Sequence, residues 1–92
     1  FVPNEFNLSA YPNPFNPVTK IKFSIPVNSQ LDPVNINIYD VTGRQIINYS
    51  YDNLKAGIYS IDFDGTDLAT GVYFYQLVTG NFSQTRKMVL IK

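Results

Sequence analysis

The acidic cluster Asp62-Phe63-Asp64-Gly65-Thr66-Asp67 is the densest group of candidate ligands or proton carriers in the chain. Closely spaced carboxylates are the raw material of a calcium loop, which alternates oxygen ligands with a glycine at a fixed place. Here Gly65 comes too early for the EF-hand pattern, and no bidentate Glu follows. A turn at Asp64-Gly65 accounts for the cluster better, so no metal and no cofactor is expected. If calcium did bind, Asp62, Asp64 and Asp67 would hold it. Nucleophilic catalysis has less support. Six Ser and six Thr are present, but there is no His and no Cys, and a hydroxyl needs an adjacent base to become a nucleophile. Lys20 and Lys55, on strand faces, are poor substitutes. A pair of carboxylates acting on a sugar needs a cleft, and 92 residues leave little room for one. The chain is not expected to be an enzyme. Without Cys and His, disulfide frameworks and zinc sites are excluded as well.

Composition narrows the partners. Seven basic and seven acidic residues give a formal net charge of zero. Nucleic-acid binders carry a basic stripe that neutralises phosphates, whereas Lys20, Lys22, Arg44, Lys55, Arg86, Lys87 and Lys92 are scattered. Sugar-binding sandwiches present exposed aromatics, and Tyr49 and Tyr51 share one strand face with Tyr39 nearby. Trp is absent, and cross-strand Tyr pairs more often simply stabilise a sheet. No apolar run approaches the ~20 residues that cross a bilayer. The chain opens at Phe1 without Met or a signal peptide, which reads as a segment of a longer chain whose targeting signal lies elsewhere.

The elements that must position these residues are strands. Apolar residues alternate with period two, and no window repeats at helical spacing. Phe6 to Tyr11 is a short strand stopped by Pro12-Asn13-Pro14-Phe15-Asn16-Pro17, whose prolines lack donors and force an extended path. Thr19 to Ile25 follows, with Ile21, Phe23 and Ile25 on one face. The stretch from Val27 to Pro33 is polar and loop-like. Val34 to Tyr39 directs Val34, Ile36 and Ile38 inward, and Asp40-Val41-Thr42-Gly43 has the chemistry of a type I turn closed by a left-handed glycine. Gln45 to Tyr51 returns antiparallel.

Two later segments share a Leu-x-x-Gly-x-Tyr pattern, Leu54 to Tyr59 and Leu68 to Tyr73. Each opens a strand, Ile58 to Phe63 and Val72 to Val78. Thr79-Gly80-Asn81 makes a tight turn into a last strand, Phe82 to Ile91. About seven short strands between regular turn signals predict one all-β domain over residues 1–92, an immunoglobulin-like antiparallel sandwich, its first few residues serving as a linker. In such sandwiches a Tyr near the start of a late strand bonds back to the preceding loop, and Tyr73 fits that corner. The expected core includes Ile21, Phe23, Ile36, Ile38, Ile61, Tyr73 and Leu77.

The closing run Arg86-Lys87-Met88-Val89-Leu90-Ile91-Lys92 sets two cations before four apolar residues and a third cation after them. A strand buried on both faces is the plain explanation. A terminal strand is also the place most open to a receptor, by strand addition or by side-chain docking.

These segments together resemble a known family. Tyr11 to Pro17, the Ile-Tyr-Asp-Val-Thr-Gly-Arg core within Val34 to Gln45, Leu68 to Tyr73, and Lys87 to Lys92 are similar, in order, to type IX (Por) secretion-system C-terminal sorting domains. The Asn-Pro-Phe-Asn-Pro form also resembles the immunoglobulin-like domain of flagellar hook-capping proteins. The resemblance implies a non-catalytic domain at the end of a multidomain cargo, often a hydrolase or adhesin. It would be read in the periplasm by the outer-membrane translocon and be removed by a sortase, leaving the cargo secreted or at the cell surface; the chain itself is expected to be a monomer. By motif, the carry-over falls on Pro12, Asn13, Pro14, Gly43, Gly71 and Tyr73. Recognition would fall on Arg86, Lys87, Met88, Val89, Leu90, Ile91 and Lys92. A structural spacer, or a carbohydrate-binding accessory module with an exposed aromatic platform, is the alternative. Export that survives deletion of the domain would mark the spacer, and measurable glycan binding the accessory module.

Overall fold

A computed structural model of the chain describes residues 5–27, 33–80 and 82–92. Seven strands follow one another: β1 (Asn7–Tyr11), β2 (Val18–Ile25), β3 (Val34–Tyr39), β4 (Gln45–Tyr51), β5 (Gly57–Asp64), β6 (Gly71–Thr79) and β7 (Phe82–Leu90). They form two antiparallel sheets, ordered β1-β2-β5 and β4-β3-β6-β7. Three strands face four with β4 beside β3, which is an immunoglobulin-like sandwich whose fourth strand has moved to the second sheet. The predicted strands are all present, with ends shifted by a residue at most. The loop expected after Val27 lies mostly outside the described residues, as do the first linker residues and Asn81 of the last turn.

The sheets hold together because alternation buries one face of each. Ile21, Phe23, Ile36, Ile38, Ile61, Tyr73 and Leu77 are all buried, joined by Leu8, Phe15, Tyr75, Met88 and Leu90. Phe23 stacks on Tyr59, ring centroids 5.6 Å apart, and lies 6.3 Å from Tyr51. Such ring pairs add to the stabilisation from burial alone. Among the described residues no buried side-chain polar atom lacks a partner.

The β3–β4 turn is built by Asp40. Its Oδ1 accepts hydrogen bonds from the amides of Thr42 (2.9 Å) and Arg44 (3.0 Å) and from the Thr42 hydroxyl. The Gly43 amide donates to the Asp40 carbonyl, and Gly43 takes φ 89°, a left-handed conformation that an L side chain resists. These hydrogen bonds, the Thr42 hydroxyl first, hold the Asp40 carboxyl below its ordinary value, with Arg44 adding its charge. The β5–β6 turn repeats the device: the Thr66 amide and hydroxyl donate to Asp64 and lower its carboxyl in the same way.

Both Leu-x-x-Gly-x-Tyr segments close a corner. The Tyr73 hydroxyl donates to the Ala69 carbonyl at 2.6 Å, and the Tyr59 hydroxyl to the Lys55 carbonyl at 2.5 Å. Tyr73 is buried and Tyr59 half-buried, with its hydrogen bond at the surface.

Candidate functional site

The proline-rich segment from Pro12 to Pro17 leaves the first sheet after β1, lies along the free edge of β7 in the second, and returns to β2. The peptide bonds before Pro12, Pro14 and Pro17 are cis. Proline has no N–H, so this strap cannot form a continuous ladder, and Asn13 supplies the missing pair from its side chain. Its Nδ2 donates to the Lys87 carbonyl (3.1 Å), and its Oδ1 accepts from the Val89 amide (3.0 Å). Phe15 continues on its backbone: its amide donates to the Val89 carbonyl and its carbonyl accepts from the Ile91 amide, both at 2.9 Å. Phe15 and Leu90 thus form a parallel bridge.

The strap is anchored at both ends and in the middle. The Thr19 hydroxyl donates to the Pro12 carbonyl at 2.7 Å, and the Gly65 amide to the Pro17 carbonyl at 2.8 Å. The Phe15 ring is buried edge-on against Phe63 at 6.1 Å. Gly65 is needed for close approach: a Cβ there would meet Leu90 Cδ2 at 3.1 Å and Phe15 Cε2 at 3.3 Å.

This arrangement divides the closing run by face. Met88 and Leu90 are buried, pairing across to Tyr73 and Gly71. Lys87 and Val89 occupy the opposite face, beside Phe74 and Val72, and Lys87 is exposed. Arg86 is exposed but sits beside buried Tyr75, on the Met88 face, so the two adjacent cations point apart. Burial raises the Tyr75 phenol above its ordinary value, and Arg86 opposes that shift. Ile91 lies past the strand end and is 48% exposed. Lys92 donates through Nζ to the Thr66 carbonyl. Two expectations are therefore corrected. The strand is not buried on both faces, because the strap covers an edge and not a face. Strand addition over Lys87–Ile91 is closed, because Asn13 and Phe15 already hold those backbone groups.

The remaining motif residues converge on the same end of the sandwich. Gly71 to Tyr73 pair with Met88 to Leu90. On their other side they line an open groove of about 720 Å³ against Thr42, Arg44 and Ile46 of the β3–β4 turn. Residues from four separate stretches of sequence thus meet around the start of β6. Sequence reasoning found the four stretches but missed what links two of them, the Asn13 carboxamide. Its signal was an Asn between two prolines, where a backbone donor is scarce.

Other candidates do not assemble. Asp62 extends from β5 to Lys20 across the sheet, at 3.7 Å between exposed side chains. Asp64 is engaged with Thr66. Among the described residues, no three His, Cys, Asp or Glu side chains gather into a metal-binding group. Among the described residues, Tyr39, Tyr49 and Tyr51 do not form a shared exposed platform. Tyr49 and Tyr51 pack half-buried against the core, and burial raises the Tyr49 phenol. Tyr39 lies on the other face with its hydroxyl on Gln76 Oε1 at 3.1 Å.

Fold and site together define an immunoglobulin-like sandwich whose last strand is locked from outside by its own N-terminal strap. The chain belongs to the family described as the secretion system C-terminal sorting domain, whose model matches residues 9–92. It is a sorting signal for type IX secretion, the route across the outer membrane to the cell surface or beyond. Sorting domains of this family are in general non-catalytic. No curated protein matched the chain.

Proposed function

We propose that the secretion machinery reads this domain at the end of the sandwich where the four motif stretches meet, and that it docks on side chains rather than adding a strand. The occupied β7 edge carries this reading: Asn13 and Phe15 use the backbone groups that an incoming strand would need. What β7 offers outward is Lys87 and Val89, continued by exposed Ile91. Met88 and Leu90 anchor that display from inside, Lys92 ties its end to the β5–β6 turn, and Arg86 borders it on the opposite face. On this reading residues 1–92 are a single sorting domain behind N-terminal cargo domains, and its partners are the outer-membrane translocon and a sortase.

The test fuses the domain to a reporter in a host that carries this secretion system. Changing Lys87 and Lys92 to Gln alters exposed side chains, which usually moves stability by no more than ~0.5 kcal/mol. The variant should keep its circular dichroism spectrum while the reporter accumulates in the periplasm. A single Lys92→Gln variant separates the loss of the Thr66 contact from the loss of recognition. Unimpaired export of the double variant would remove the lysines from the recognised set. Failure of the intact domain to carry the reporter out would support the spacer reading.

A further inference from the structure

The sandwich has four sheet edges, and three carry a device that discourages pairing with another chain. β7 is covered by the strap over Lys87 to Ile91 and carries two cations, Arg86 and Lys87. β1 is five residues long and runs into Pro12. β5 carries Asp62 and Asp64 at its C-terminal end. Charges, prolines, short strands and covering segments are the usual protections of exposed edges. β4 has none of them. It runs seven residues, Gln45-Ile46-Ile47-Asn48-Tyr49-Ser50-Tyr51, without charge, Pro or Gly. Among the described residues it has a strand partner on one side only, β3. Its inner face is also incompletely covered: Ile38 is fully buried, yet its cross-strand neighbour Ile47 is 37% exposed.

The strand is complementary to itself. Antiparallel pairing of β4 with β4 of a second copy, centred on Asn48, overlaps all seven residues, since Gln45 then faces Tyr51. Opposed residues share a face in an antiparallel pair. This register sets Ile47 against Tyr49 twice on the incompletely covered inner face, and Asn48 against Asn48 on the outer one. It also places Arg44, just before the strand, opposite Asp52, just after it, once at each end. Arg44 has an 82% exposed side chain and engages Asp40 through Nε.

We propose that β4 is a self-association edge, through which two copies of this chain join their four-stranded sheets into one eight-stranded sheet about a two-fold axis. The contact is isologous, so it closes at a dimer and leaves no free β4 edge. This departs from the monomer expected of the chain. It does not rest on the sorting reading, whose outward display on β7 lies at the opposite edge of the same sheet, although Arg44 also lines the groove at that end.

Sedimentation velocity on the 92-residue chain over a range of concentrations should show a reversible monomer–dimer equilibrium. Ile47→Lys puts a charge on the edge and should leave a monomer with an unchanged circular dichroism spectrum. Charge reversal tests the register. Arg44→Glu alone sets two carboxylates against each other at each end of the pair. Asp52→Arg alone sets two guanidinium groups against each other there, so each variant should be monomeric by itself. Mixing the two variants removes the clash: one end then pairs the two introduced side chains, the other the two native ones, each of opposite charge. The mixture should recover the dimer. Because each variant is its own folding control, a misfolded protein cannot imitate this result. A wild-type chain that stays monomeric at about 1 mM, the weak end of useful affinity, would overturn the proposal. Open-ended assembly, or a mixture no more dimeric than its components, would do the same.

Discussion

Replacing Asn13 by alanine removes the two hydrogen bonds through which the strap holds β7 (to the Lys87 carbonyl and from the Val89 amide), and it exposes no core surface, because Asn13 is itself exposed. A hydrogen bond contributes about 0.5–1.5 kcal/mol net, and water can take over both groups here, so the lower half of that range applies. The expected loss is about 1–2 kcal/mol in urea unfolding, with a Tm fall of about 4–8 °C for each kcal/mol in a domain of this size. Hydrogen exchange supplies the local measurement: the Val89 amide should lose protection while the β6–β7 ladder amides keep theirs. Asn13→Asp refines the test. Its carboxylate still accepts from Val89 but sets an acceptor against the Lys87 carbonyl, which raises the folded-state pKa of the new carboxyl. A raised pKa means stability present at low pH and lost as pH rises through that value, so this variant should recover toward wild type on acidification. Unchanged urea midpoints and unchanged Val89 exchange in Asn13→Ala would refute the strap argument.

Other outcomes follow from the same geometry. Phe23→Ala should cost about 3–5 kcal/mol in urea unfolding, because the ring is buried against Tyr59 and Tyr51. Tyr73→Phe should cost about 1 kcal/mol and Tyr59→Phe less, because the Tyr73 bond is part-buried whereas water can readily replace the exposed Tyr59 bond. Gly65→Ala should cost about 1–3 kcal/mol, since the new methyl must displace Leu90 or Phe15. Asp40 and Asp64 both have lowered carboxyl pKa values, so their contribution is complete above the ordinary 3.8 and is lost as pH falls below it. Thermal melts from pH 6 down to about 2 should show acid destabilisation, shallower in Thr42→Val and Thr66→Val.

Much of the fold could be read along the chain because its signals are local. Alternation depends only on the two-residue period of a strand, so Ile21, Phe23, Ile36, Ile38 and Leu77 could be assigned inward without knowing what they face. The Asp40–Gly43 turn and both Tyr corners are settled within five residues of sequence. The closing run was misread where alternation fails as a guide. Met88-Val89-Leu90-Ile91 is apolar at every position, and a continuous apolar run cannot say which side chains are covered, or by what.

The candidate site was legible as four separate stretches and not as one place. Composition and spacing determined the strands and the turns, and the four motif stretches carried the family resemblance. Only the tertiary structure decided that Asn13 reaches β7 across 74 residues of sequence, that Lys92 reaches the Thr66 carbonyl, and that β4 is left as the bare edge. Each of these depends on which strand ends up beside which. Pairing across a sheet is set by the register and packing of distant segments, and no local propensity encodes it.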